Sequence, residues 1–243
     1  MEADETRRAW DALLRIREAL TREPAGIPPP VRQLLPDLAG AHVLHERCGS
    51  GEASAELAAL GALVTGIDPS AAAIGAARAR FPQLLFLQAD PAELPVQLRR
   101  RRFDAVYASG VLPFLDDLGR WTAETAAALR EGGVLVAVDL HPAGACVDAT
   151  SLRWRSDYFA GSLPVGDWVR PAATLRLWRL GELVTALAAG GFAVCRLEEF
   201  GSFSPVRRHD PRVPVAFALV ARRVAGEPGD RRPSGSAAAP TRA

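Results

Sequence analysis

Lysine and asparagine are missing altogether from this chain of 243 residues. All 29 basic residues are therefore arginines, and without a side-chain amine the chain cannot form a Schiff base, hold pyridoxal phosphate or supply the lysine of a phosphate loop. The lack of asparagine removes every acceptor for N-glycosylation. Cysteine is scarce: Cys48, Cys146 and Cys195 are far apart, odd in number and in no CxxC pair. That pattern indicates neither a disulfide framework nor a zinc site, and the three are read as reduced thiols. An excess of charge is missing too. With a formal net charge of +1 there is no field to steer the chain onto nucleic acid or an anionic membrane, so a partner of small size is expected. No run approaches the roughly 18 apolar residues of a membrane span, and the acidic start MEADETRRAW has no apolar signal core. A cytoplasmic protein, monomeric or homodimeric, is the expectation.

What is present is ordinary globular material, 49% apolar and 23% charged, in a length that suits one α/β core with short appendages. The segment Thr6 to Leu20 places Trp10, Leu13, Leu14 and Leu20 at helical spacing and stops at the proline-rich GIPPP. From His42 onward, short β-like runs alternate with alanine-rich helical runs, the pattern of crossover units around a parallel sheet. The β runs are His42 to Glu46, Leu63 to Asp68, Leu84 to Asp90, Phe103 to Ser109 and Val134 to Leu140. Helical stretches are expected at Glu52 to Leu60, Ser70 to Arg80, Ala92 to Arg101 and Asp116 to Arg130, the last closed by Glu131, Gly132 and Gly133. After an aromatic and arginine-rich interval come a helix from Leu180 to Ala189 and two further β runs, Ala193 to Phe200 and Val215 to Arg222. That final pair suits an antiparallel hairpin on a mostly parallel sheet. The expected organisation is an N-terminal helix and linker (1–40), a doubly wound seven-stranded α/β domain (41–224) with an insertion at about 142–178, and a disordered tail (225–243) too poor in apolar residues to pack.

Chemistry concentrates in VLHERCGSGEASAELAALGALVTGIDPS, Val43 to Ser70. A buried strand enters a tight loop with Gly49 and Gly51, then a helix, then a second strand closed by Asp68. Glycines let a backbone approach a ligand, the following helix offers free amides, and an acid ending the second strand can accept from both hydroxyls of a ribose. Asp90, ending the third strand, brings a second carboxylate to the same edge. The loop RCGSG lacks the third glycine of a dinucleotide fingerprint, which disfavours a nicotinamide enzyme.

In these residues the chain resembles the class I S-adenosylmethionine-dependent methyltransferases, whose first motif has the general form VLDLGCGTG. The resemblance runs in element order from about His42 to Arg222, with FDAVYASGVLPFL in the place of the fourth motif and LREGGVLVAVD leading into the fifth strand. It is nearest to a branch whose first motif reads VLHLQCG and whose fifth strand ends in HP, here His141 and Pro142. The resemblance implies S-adenosylmethionine as cofactor. It places Cys48, Gly49 and Gly51 against the methionine part, with His45 and Arg47 beside them and Asp68 with Pro69 at the ribose. Asp90 with Pro91 falls at the adenine, and Ala108, Ser109 and Gly110 line the cofactor below strand four. His45 stands where the general form has an acid and Arg47 where it has glycine, and Arg47 is expected to pair with the methionine carboxylate. His141, at the end of strand five, is either a general base or a cap against Pro142.

Four further features have bland and functional readings. His42 and His45 have HxxH spacing, but on a strand residues three apart face opposite sides, so no shared metal is expected. The run Arg99 to Arg102 is read as a solvated helix end. Trp154, Tyr158, Phe159, Trp168 and Trp178, interleaved with arginines, either form a lid over a planar or amphiphilic substrate or cover a sheet edge or dimer contact. Trp10 either closes the site from the other side or anchors its helix. The functional expectation is methyl transfer to a small molecule, a specialised metabolite by association with an arginine-rich, lysine-free composition. The rivals are a sulfonium-dependent enzyme that does not methylate, such as a cyclase, and a non-catalytic binding protein that kept the fold.

Overall fold

The computed structural model describes residues 26–100, 103–148, 151–164, 174–201 and 210–224. The expected N-terminal helix with Trp10, Trp168 and the expected disordered tail lie outside the described residues. Strands β1 (His42–Glu46), β2 (Leu63–Asp68), β3 (Leu85–Gln88), β4 (Phe103–Ser109), β5 (Leu129–Leu140), β8 (Phe192–Phe200) and β9 (Ala216–Arg223) form one sheet in the order β3-β2-β1-β4-β5-β9-β8. The first five are mutually parallel, with His42 opposite Leu63 and Val43 opposite Ala105. β9 enters antiparallel between β5 and β8. A separate antiparallel pair, β6 (Ser162–Pro164) and β7 (Thr174–Arg176), belongs to the insertion.

Helices cover both faces, which is why the central strands read as continuous apolar runs. Alternate residues divide between two cores. Leu44, Val106 and Leu135 face Trp121 on α5 (Leu118–Ala128) and Leu183 and Leu187 on α7 (Leu180–Ala189). Val43, Ala105, Val134 and Val136 face Leu57 on α2 (Glu52–Ala59) and Val31 on α1 (Pro29–Arg32). Ser70 caps α3 (Ala71–Arg80) by accepting from the Ala73 amide at 3.2 Å, and Asp117 caps α5 through the Arg120 amide at 3.1 Å.

Two helices are shorter than the sequence suggests. Of the helix expected from Ala92 to Arg101, α4 (Val96–Arg99) is what forms among the described residues, because Pro95 sits at its cap with φ −55° and ψ 143° and resets the start. α5 stops at Ala128, and the fully buried Leu129 already pairs with Phe103 across a register shift, so the chain enters β5 before Gly132 and Gly133. In the insertion, the short α6 (Pro142–Ala145) and a bridge between Val147 and Trp154 precede the β6–β7 pair.

Candidate functional site

The order of the strands reverses between β1 and β4, and in open α/β sheets the crevice at such a switch point, outside the strands' C-terminal ends, takes ligands. The loop after β1 lies there. Cys48 N–H donates to the Ile67 carbonyl at 2.9 Å and Gly51 N–H to the Cys48 carbonyl at 3.0 Å, which folds the loop tightly before α2 begins. Asp68, with no exposed surface, holds the loop to the next turn: Oδ2 accepts from the Gly49 amide at 3.1 Å and Oδ1 from the Ser70 amide at 2.9 Å. Gly49 has φ +54° and Gly110, after β4, has φ +64°, and a Cβ at either would meet no atom within 4 Å. Both thus border open space at the strand ends, a cradle for a ligand that approaches main chain.

Arg47 takes the φ of +55° that glycine would take at its place, a left-handed conformation that costs a side-chain-bearing residue roughly 1–2 kcal/mol. This turn sends the side chain across the crevice, where the guanidinium carbon stands 4.0 Å from the centre of the Phe114 ring. Asp68, Asp139 and Asp90 are its charged neighbours and oppose the desolvation that lowers its pKa. Asp90 is exposed, with Oδ1 accepting from the Ala92 amide at 2.8 Å, and Pro91 beside it is buried. Gln88 donates to the Pro69 carbonyl at 3.0 Å, tying the ends of β2 and β3 together. The Cys48 thiol is pushed well up by burial and by Asp68, so it stays protonated and inert as a nucleophile.

His45 points to the α2 side. Its Nδ1 lies 2.7 Å from Ser54 Oγ, its ring lies 5.2 Å from Tyr107, and burial lowers its pKa to about 3, so it is neutral. His42 is exposed, and among the described residues no group of His, Cys, Asp and Glu is placed to hold a metal ion. His141 is the cap of α6: Nδ1 accepts from the Ala143 amide at 3.1 Å and Nε2 lies 2.7 Å from Glu199 Oε1. The nitrogen accepting a backbone N–H is unprotonated, so Nε2 carries the hydrogen and donates to Glu199. Burial lowers its pKa despite that carboxylate. Both nitrogens are thereby engaged, one in the cap of α6 and one with Glu199, and as it stands the imidazole has no lone pair to offer a substrate.

Two hollows meet at Trp178, whose Nε1 donates to the Leu115 carbonyl at 3.0 Å. One, of about 800 Å³, lies between Asp117 and Leu118, Tyr158, and the start of α7 at Arg179 and Glu182. Phe159 stands at its edge, 72% exposed, edge-on to Tyr158 at 5.2 Å. The other, of about 30 Å³, is lined by Asp139, Leu112, Pro142, Arg176 and Trp178 among others. Trp154 is exposed and lines neither. The structure thus gathers Arg47, Cys48, Gly49, Asp68, Asp90, Ser109 and Gly110 at the strand ends and sets Tyr158 apart, beyond Trp178. Asp139 and Phe114 escaped the sequence reading. The signal for Asp139 was there: an acid closing an apolar strand in VAVDLHP, the same cue that marked Asp68.

Comparison with known proteins bears on this geometry. Residues 47–137 match the family model described as a methyltransferase domain. A curated relative from Methylobacterium sp., the ubiquinone biosynthesis O-methyltransferase, is 32% identical over 168 residues, 63% of this chain and 64% of the relative. The chain spans between 40% and 64% of the length of the first curated relatives it matches. An S-adenosylmethionine-dependent methyltransferase from Mesorhizobium loti superposes with a TM-score of 0.67 at 25% identity, over 80% of this chain and 96% of the other. The [4+2]-cyclase SpnF superposes with a TM-score of 0.61 at 20% identity, over 81% and 80%, a likeness of fold alone.

Proposed function

The chain belongs to the class I S-adenosylmethionine-dependent methyltransferase superfamily, and on that premise we propose that it transfers a methyl group to a hydroxyl of a small aromatic molecule. The cofactor is S-adenosylmethionine, which supplies a methyl group on a sulfonium. The observation that carries the proposal is Asp68, a buried carboxylate that ends β2 and is fixed by the Gly49 and Ser70 amides, next to open space at Gly49. Those residues fit the group: a carboxylate for the ribose diol, main chain open to the amino-acid tail, and Asp90 with Pro91 for the adenine. On this reading Pro69 and Ser109 would complete the walls. The choice of oxygen as acceptor follows the name of the curated relatives, and the aromatic wall formed by Tyr158 and Trp178 favours a planar substrate. A specialised metabolite remains the expected source of that ring. Displacement at a sulfonium needs chiefly a positioned nucleophile, so the protein's contribution is orientation and exclusion of water.

Incubation with methyl-labelled S-adenosylmethionine and hydroxylated benzoates should yield labelled methoxy product and S-adenosylhomocysteine, read by mass spectrometry. One observation favours a second reading, a fold retained for binding only: the Arg47 guanidinium lies across the crevice on Phe114. That reading predicts no thermal shift with S-adenosylhomocysteine, whereas a ligand at 100 times its Kd stabilises by about 2.7 kcal/mol. A shift without any methylated product would point instead to a non-methylating enzyme.

On the methyltransferase reading, Arg47 turns toward the tail carboxylate of the cofactor. Arg47→Gly keeps the left-handed turn and removes the charge. It should weaken S-adenosylhomocysteine binding by about tenfold or more, the worth of a charged hydrogen bond, and leave 5′-methylthioadenosine, which has no tail, unchanged in calorimetry. Equal effects on both ligands would remove the pairing from the account.

A further inference from the structure

Asp139 closes the buried run of β5 beside the crevice, yet it makes none of the contacts assigned above to a nucleoside. Its Oδ2 accepts from the Leu112 amide at 2.9 Å and its Oδ1 from the Leu140 amide at 2.8 Å; the Val111 amide is a third donor to the carboxylate, and with two lone pairs on each oxygen one is left for a further donor. The carboxylate lines the hollow of about 30 Å³, the space of a single water molecule or of one hydroxyl group. Trp178 forms a wall of that hollow and also of the wide cleft with Tyr158. A narrow seat for a hydroxyl beside an acid therefore adjoins a broad, open groove with Trp178 and Tyr158 on its wall, space for the rest of a ring.

The geometry points to Asp139 as the group that takes the proton of the acceptor hydroxyl, with the hydroxylated aromatic ring lying against Trp178. The inference rests on the methyl-transfer reading. The proton of the hydroxyl passes to a carboxylate oxygen of Asp139, the oxygen forms its bond to the methyl carbon, and the carbon–sulfur electron pair stays on sulfur as a neutral thioether. Burial raises the Asp139 carboxyl to about 6, which keeps it mostly ionised at neutral pH and close to the operating range of a base. Its charged surroundings are Arg47 from the loop after β1 and Arg176 of β7, the latter 3.4 Å from Asp116. His141, two residues on, is turned to Glu199 of β8. The two guanidinium groups favour the oxyanion left when the proton departs.

The test uses the full chain saturated with S-adenosylhomocysteine and 4-nitrocatechol as probe, at a pH below the probe's own first ionisation. The wild type should bind the probe with the absorbance of its anion. Asp139→Asn should bind S-adenosylhomocysteine with unchanged affinity, which also shows that it folds, and should either bind the probe as the neutral phenol or lose at least tenfold in affinity. Trp178→Leu should weaken the probe several-fold while leaving the anion spectrum of the bound fraction intact. A neutral spectrum in the wild type, no binding of the probe, or an Asp139→Asn variant indistinguishable from wild type overturns the assignment. Failure of the wild type to bind S-adenosylhomocysteine in the first step overturns the methyl-transfer reading itself and is separately visible.

Discussion

Asp68→Asn is expected to lower affinity for adenosine and S-adenosylhomocysteine by about a hundredfold, the loss of two hydrogen bonds to a charged acceptor at about 1.5 kcal/mol each. The substitution has a second consequence. The Gly49 and Ser70 amides both donate to this carboxylate, and the amide nitrogen of an asparagine would face one of them donor to donor, loosening the loop. Loss of affinity alone therefore does not separate a ribose contact from a loop anchor. A ligand pair does. The wild type should prefer adenosine to 2′,3′-dideoxyadenosine by most of that hundredfold, and Asp68→Asn should bind the two alike. Were the variant to lose affinity for both and keep the preference, Asp68 would be a loop anchor and the diol would be held elsewhere.

The backbone frame of this site was legible in the sequence because it is written locally. The run from Val43 to Ser70 carries its strand, loop, helix and strand in contiguous order, and His42–Glu46, Leu63–Asp68 and Phe103–Ser109 appear in the structure with the same bounds as in the pattern. Periodicity and glycine placement are enough for that. Side-chain contacts across the fold are not local. Glu199 reaches His141 from 58 positions away, and nothing in HPAG says that the imidazole will be spent on a helix cap and a distant carboxylate. The direction of Arg47 follows from a left-handed φ at a non-glycine residue, which the sequence shows only as a departure from an expected glycine. Asp139 illustrates the intermediate case: its position at a strand end could be read, but the hollow it lines is built by Trp178 and Arg176, which lie in an insertion without periodicity.

Glu46→Gln should stabilise the protein strongly at alkaline pH and hardly at all in mild acid. Glu46 follows His45 on β1 and, pointing to the other face, is sealed in the core, where Oε2 accepts from Trp121 Nε1 at 2.8 Å and Oε1 lies 3.4 Å from Thr125 Oγ1. Desolvation dominates those hydrogen bonds and raises its pKa from the ordinary 4.5 to about 8. The sign follows from proton linkage: a raised native pKa means that the folded state holds the proton more tightly than the unfolded one. Its stabilising effect is complete below about pH 4.5 and is lost as pH rises through 8. At about 1.4 kcal/mol per unit, the amount at stake is on the order of 3 to 5 kcal/mol, a large part of the net stability of a domain. Glutamine keeps the acceptor for Trp121 and a donor for Thr125 without a titrating proton, so the urea midpoint of the wild type should fall relative to that of the variant between pH 5 and 8, and that of the variant should stay level from about pH 6.5 to 8. His45, held neutral with its pKa lowered to about 3, acts in the opposite sense, its contribution being lost as pH falls from about 6.5 toward 3. Below about pH 4.5 variant and wild type should therefore run in parallel; between there and about 6.5 the two effects offset one another in the wild type while the variant gains stability, and above 6.5 only the wild type declines. A Glu46→Gln variant whose stability declines with pH in parallel with the wild type would place the titrating group elsewhere.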